Sequence, residues 1–230
     1  MNYFNLWEKC LDDKINDISF IEGFLKKTDA SREVLLNGSD DELFQFSNFL
    51  NRYDISKLIE AIDSSYLTPI EPNLVTQFSN FDSGIYDVPR VLNEQNRALT
   101  FDEVGMFLLG ERDPGAMKKY GENHSKLASL LDLVELSNER PIVVALTSFG
   151  RFCSMIDDRF KNKVFRALVL RDPLMRNMIY RAKQGKCKYS AEVSCLSEST
   201  QVRRRSNVKQ LLEYILTNTD YEDLLDNIQW

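Results

Sequence analysis

Apolar positions in this chain recur mostly at helical spacing. Phe4, Leu6, Trp7 and Leu11 form a first cluster, followed by Ile15, Ile18, Phe20, Ile21, Phe24 and Leu25. Asp29 or Ser31 can start a further helix that ends near the turn dipeptide Asn37-Gly38. Ser39 and Glu42 have capping-box spacing ahead of Leu43, Phe44, Phe46, Phe49 and Leu50. Asp54 or Ser56 opens another helix through Leu58, Ile59 and Ile62. Residues 1–66 therefore read as a helical, Phe-rich domain with no catalytic pattern, suited to scaffolding or to binding a protein partner. Pro69, Pro72, Gly84 and Pro89 punctuate residues 67–97, which predict a connector with one short strand and a brief helix over 88–93.

From residue 98 to 156 the pattern is helices followed by strands. Thr100 and Glu103 cap a helix over 101–109, and Gly110 to Gly115 form a turn. A short helix follows over 116–120, then a turn at Gly121, then a helix to about Leu131 with Leu127, Leu130 and Leu131 inward. Residues 133–136 and 141–146 predict two strands joined by the polar turn Ser137 to Arg140, and Thr147 caps a last helix. Three helices and a hairpin make a winged helix, a helix-turn-helix variant. Residues 157–230 predict a second such unit. It has a helix through Phe160, Val164, Phe165, Leu168 and Leu170, and a second opened by Asp172 and Pro173 and closed at Gln184-Gly185. A connecting segment over 189–196 leads to the helix of Leu196 to Leu216, with Ser197 or Ser199 as its cap. The acidic tail, with Ile228 and Trp230, is expected to pack against the body. The fold class is thus mainly α with a small β-hairpin: a helical N-terminal region, then two winged-helix units at 98–156 and 157–230.

Charge alters this picture. The chain of 230 residues has a net charge of −6. Residues 151–209, however, carry 15 basic and 5 acidic side chains, a net of +10. Local charge governs attraction to a polyanion, because salt screens surface fields within roughly 8–10 Å. The basic block therefore suits duplex DNA. Its alternative use is to pair with acidic parts of the same chain or of a partner.

Within the last helix Val208, Leu211, Leu212 and Ile215 make the inward stripe. Arg203, Ser206 and Gln210 point away from it, beside Ser199, and are the candidates to read bases. Arg204 and Arg205 lie above the stripe, where they would clamp phosphate or pair with acids inside the protein. Thr200, Lys209, Lys186 and Lys188 complete this candidate DNA-binding set, and Ser125, Lys126, Ser129 and Arg140 are the candidates in the first unit.

The segments LTFDEVG, KYGENHSKLASLLDLVEL, LTSFGR, LRDPL and LSESTQVRRRSNVKQLLEYI resemble, over roughly residues 86–216, the tandem winged-helix module of bacterial restriction-modification and phage-defence proteins. There a segment of the form Ser-Thr-x-x-Arg-Arg opens the last helix; here it is Ser199, Thr200, Arg203 and Arg204. The resemblance implies DNA binding. Such modules often accompany a nuclease or ATPase domain; residues 1–64 are too short and too helical for a nuclease.

No chemistry competes with this expectation. Neither a GxxxxGK[ST] phosphate loop nor a GxGxxG motif is present. Asp12-Asp13, Asp40-Asp41, Asp102-Glu103 and Asp157-Asp158 are neighbours that would diverge by about 100° on a helix, as caps or solvated faces. His124, the sole histidine, lies near an apolar stripe and reads as packed rather than catalytic. Cys10, Cys153, Cys187 and Cys195 are widely spaced and read as reduced thiols, giving neither a disulfide framework nor a zinc site. No apolar run reaches the roughly 20 residues of a membrane span, and no export signal is visible. The expectation is a non-catalytic, cytoplasmic, bacterial protein without metal or cofactor that binds double-stranded DNA, in restriction or phage defence or as a regulator. The alternative is a subunit that uses its winged helices as protein-docking modules, with residues 1–66 as a further site for a protein partner.

Overall fold

The computed structural model describes residues 18–52, 54–156 and 158–230. The apolar cluster Phe4 to Ile15, Cys10, and the carboxylates Asp12, Asp13 and Asp157 lie outside them. The chain is mainly α-helical with little strand. Its described residues include no helix long and apolar enough to cross a membrane.

Helices α1 (Ile18–Leu25), α2 (Asp29–Asn37), α3 (Asp40–Arg52) and α4 (Ile55–Glu60) come first. The starts of α3 and α4 follow from their caps. The Ser39 and Glu42 side chains and backbones bond reciprocally ahead of α3, and the Asp54 carboxylate accepts from the Ser56 N–H at 2.9 Å. The strand expected within 67–97 is absent. That stretch forms a 3-10 turn at Pro72–Leu74 and a π turn at Ser83–Asp87 that runs into α5 (Val88–Gln95).

Contacts gather the chain into two compact units, each assembled from segments distant in sequence. One comprises 18–31, Phe46–Val75 and Asn162–Trp230; the other comprises Arg32–Gln45 and Thr76–Lys161. These boundaries differ from the four consecutive segments expected from the sequence, 1–66, 67–97, 98–156 and 157–230.

The second of these units contains α5, β1 (Leu99–Thr100), α6 (Phe101–Leu109), α7 (Pro114–Leu130), β2 (Val134–Leu136), β3 (Val143–Leu146) and α8 (Ser148–Met155). The three strands form an antiparallel sheet in the order β1-β3-β2, with Leu99 opposite Val144 and Val134 opposite Leu146. The predicted capping box of Thr100 and Glu103 is present, and Thr147 caps α8 by accepting from the Gly150 N–H at 2.9 Å. Leu99, Val104, Leu127, Leu131, Leu133, Val144 and Phe149 are fully buried in its core.

The expected break at Gly121 does not occur: α7 is one helix of 17 residues, started by Asp113 and Pro114. Gly121 serves close approach instead. A Cβ there would lie 1.9 Å from the Phe101 carbonyl oxygen and 2.8 Å from the Gly105 nitrogen, both backbone atoms of the neighbouring helix. Gly121→Ala is therefore expected to force α6 and α7 apart and lower stability by about 1–3 kcal/mol. Urea unfolding would read this as an earlier midpoint, and an unchanged midpoint would contradict the close packing.

The other unit holds α9 (Asp158–Leu170) from Asn162 onward, α10 (Pro173–Lys183), β4 (Cys187–Lys188), α11 (Tyr189–Glu192), α12 (Glu198–Leu216), a 3-10 turn at Glu222–Asn227, and β5 (Ile228–Gln229). Asp172 caps α10 through the Leu174 and Met175 N–H groups at 2.8 and 3.1 Å. The acidic tail is packed as expected: β5 pairs in parallel with β4, Leu224 and Ile228 are buried, and the Trp230 ring lies 5.7 Å from that of Tyr189. No hairpin follows α12, so residues 157–230 lack the wing expected of a second winged helix.

Candidate nucleic-acid interface

The basic block proves to have two populations. Among the described residues, five of its cations turn inward onto backbone carbonyls. Arg171 is fully buried; its Nε donates to the Phe24 carbonyl at 3.0 Å and its Nη2 to the Ser31 hydroxyl at 3.3 Å. Arg176 donates to the carbonyls of Leu25 and Arg171. Arg166 donates to those of Ile215 and Thr217, both at 2.6 Å. The Lys183 ammonium gathers the carbonyls of Ile59, Glu60 and Ile62 within 3.2 Å. Arg204 donates to those of Pro72 and Val75. Carbonyls at helix ends lack intrahelical partners and carry partial negative charge, so cations satisfy them well. Burial nevertheless holds Arg166, Arg176, Lys183 and Arg204 below their ordinary pKa values, Arg176 at about 10.

The second population remains on the surface. Arg203, Arg205, Lys186 and Lys188 are exposed, with no ion pair among the described residues. Lys209 is exposed and lies 3.7 Å from Glu213. Ser199, Ser206 and Gln210 are exposed as well, and Thr200 is half-buried. Together Ser199, Arg203, Ser206, Lys209 and Gln210 occupy one face of α12, opposite Asn207, Val208, Leu211, Leu212 and Ile215, which are buried.

Arg204 departs from the expected set. It is half-buried, on the inward side, and bonded to the Pro72 and Val75 carbonyls, so this guanidinium is held within the fold rather than presented to phosphate. Its contact with Pro72 and Val75 instead fixes the rotation of α12 that turns Arg203 outward. The helix start also differs in detail. Ser197 is the N-cap residue, but its hydroxyl donates to Thr200 Oγ1 at 3.0 Å and makes no side-chain bond to the backbone amides. The Tyr189 hydroxyl donates to the Gln201 carbonyl at 2.8 Å and so ties the segment after Lys188 to the first turn of α12.

In the other unit Ser125 is fully buried, and its hydroxyl has no hydrogen-bond partner among the described residues. This overturns its placement on an outward face. The inward side of α7 includes Gly121, His124 and Ala128 besides Leu127. Such small and polar residues give no hydrophobic signal, so the leucines alone misplaced the centre of the buried stripe. Ser129 is half-buried, and Lys126 is exposed but bonded to Glu122 at 2.6 Å. Arg140 is exposed in the β2–β3 turn and borders a cleft of 490 Å³ with Lys118, Glu122 and Asp102. Lys118 and Lys119 were missed in the sequence because a break was expected at Gly121. Unbroken helix phase from Pro114 places Lys118, Glu122 and Lys126 on one face. Glu122 bonds both Lys119 and Lys126, and their ammonium groups hold its carboxyl below the usual range against the opposing effect of burial. This face is consequently nearer neutral than that of α12.

The described residues contain no group of three or more His, Cys, Asp or Glu side chains placed to hold a metal. Cys187 is buried and its thiol is pushed up to about 12 by burial. His124 is packed, as the sequence suggested. Its Nδ1 donates to the Tyr120 carbonyl at 2.8 Å and its Nε2 accepts from the Asn80 N–H at 3.2 Å, which assigns a neutral ring. Burial lowers its pKa. The unfolded chain therefore binds the proton more readily, so stability is full above about pH 6.5 and falls as pH drops toward the lower native value. His124→Gln should flatten this part of the melting-temperature profile, whereas parallel profiles would contradict it.

Comparison with family models, curated proteins and solved structures finds no match.

Proposed function

We propose that this chain binds double-stranded DNA through the outward face of α12, as a non-catalytic protein. The carrying observation is that face itself: exposed Arg203, Ser199, Ser206 and Gln210 stand opposite a buried stripe that anchors the same helix. A short helix and a tight turn precede it, the order of a helix-turn-helix whose second helix enters the major groove. The groove is about 12 Å wide and admits a helix, and arginine and glutamine suit guanine and adenine edges respectively. Exposed Arg205, Lys186 and Lys188 would neutralise phosphates.

The other unit supports the same reading. Its order is helix, strand, helix, helix, strand, strand, with the first strand paired to the last. A winged helix has this arrangement, with α7 as recognition helix and Arg140 in the wing. Setting in bacterial restriction or phage defence rests on the resemblance of the sequence segments. Competition for a labelled duplex tests the reading. Unlabelled duplex should compete at least about tenfold better than single-stranded DNA or RNA of equal length. Equal competition would contradict it.

A further inference from the structure

Val202 is 64 % exposed, more than any other large hydrophobic side chain among the described residues. It stands on the α12 surface one turn from Ser199 and one turn from Ser206, about 100° around the helix from Arg203. Isolated apolar residues on a surface are commonplace. This one is flanked one turn away on either side by the hydroxyls of Ser199 and Ser206, at a position where a β-branched residue lowers helix propensity. Valine in a helix is held in essentially one χ1 rotamer, so its two methyls are presented in a fixed direction and lose little entropy on contact. In a major groove bordered by donors and acceptors, the apolar feature available to such a group is the C5 methyl of a pyrimidine.

We infer that Val202 is a specificity-determining residue that reads the C5 methyl group of a pyrimidine, in thymine or 5-methylcytosine, while Arg203, Ser199 and Ser206 bond the neighbouring edges and backbone. The inference rests on the proposed docking of α12 in the major groove. One methyl group is expected to change affinity about fourfold, equivalent to about 0.8 kcal/mol.

The test begins with selection of a duplex from a randomised pool by the full chain. Each thymine of the selected duplex is then replaced in turn by uracil, and each cytosine by 5-methylcytosine. The wild-type chain should lose about fourfold at one thymine, or gain about fourfold at one cytosine, which tells the two methyl sources apart. Val202→Ala, at an exposed helical position that alanine favours, should bind with the same salt dependence and be indifferent to that methyl. Salt-dependent binding with no methyl effect, or the same effect in Val202→Ala, would overturn the inference and leave duplex binding standing. Failure to select or bind any duplex would overturn both.

Discussion

Arg171→Ala is expected to lower the melting temperature by about 10 °C. Arg171 is 0 % exposed, bonds Phe24 and Ser31, and places its guanidinium 5.0 Å from the centre of the Phe24 ring. Alanine would leave the Phe24 carbonyl without this donor and open a cavity beside the ring. Removal of one member of such a buried cluster typically costs about 3–5 kcal/mol. For a chain of this size that corresponds to several degrees per two kcal/mol. A melt within about 2 °C of wild type would show that these carbonyls find other partners.

The second large effect concerns binding. The double substitution Arg203→Ala, Arg205→Ala should weaken duplex affinity by more than about tenfold, at roughly 1–3 kcal/mol for each good contact. Both side chains are exposed and unpaired among the described residues, so their loss should leave the melting temperature nearly unchanged. Arg204→Ala should behave in the opposite manner. Its loss releases the Pro72 and Val75 carbonyls and destabilises the unit, with any effect on binding arriving through the orientation of α12. Three consecutive arginines thus separate into one bonded within the fold and, flanking it, two exposed ones proposed to bind DNA. Equal effects of all three on affinity, with no change in melting, would contradict that separation.

Local signals in the sequence carried the helix starts. Side-chain caps at Ser39, Asp54, Thr100, Thr147 and Asp172 all open helices where predicted. The reason is that capping needs only residues two or three apart. The hairpin strands were legible from their run of β-branched residues, and the anchored face of α12 from its apolar period. Long-range relations were not legible. Arg204 lies 132 residues from Pro72, and Arg171 lies 147 from Phe24. Nothing local distinguishes an arginine bound for a distant carbonyl from one bound for phosphate. The basic block was therefore overcounted as a DNA-facing surface. The glycine pattern misled for a related reason. Gly121 reads as a turn by composition, but the backbone of α6 passing against it makes it a helical contact.

If the exposed arginines of α12 neutralise phosphates or bond bases of duplex DNA, titration of one duplex with wild type and with Arg203→Ala, Arg205→Ala across a salt series will separate the two proteins. The logarithm of affinity should fall linearly with the logarithm of salt, and the variant's slope should be shallower by about 0.9 for each phosphate it no longer neutralises. A slope near zero for the wild type, or identical slopes and affinities for the two proteins, would contradict it.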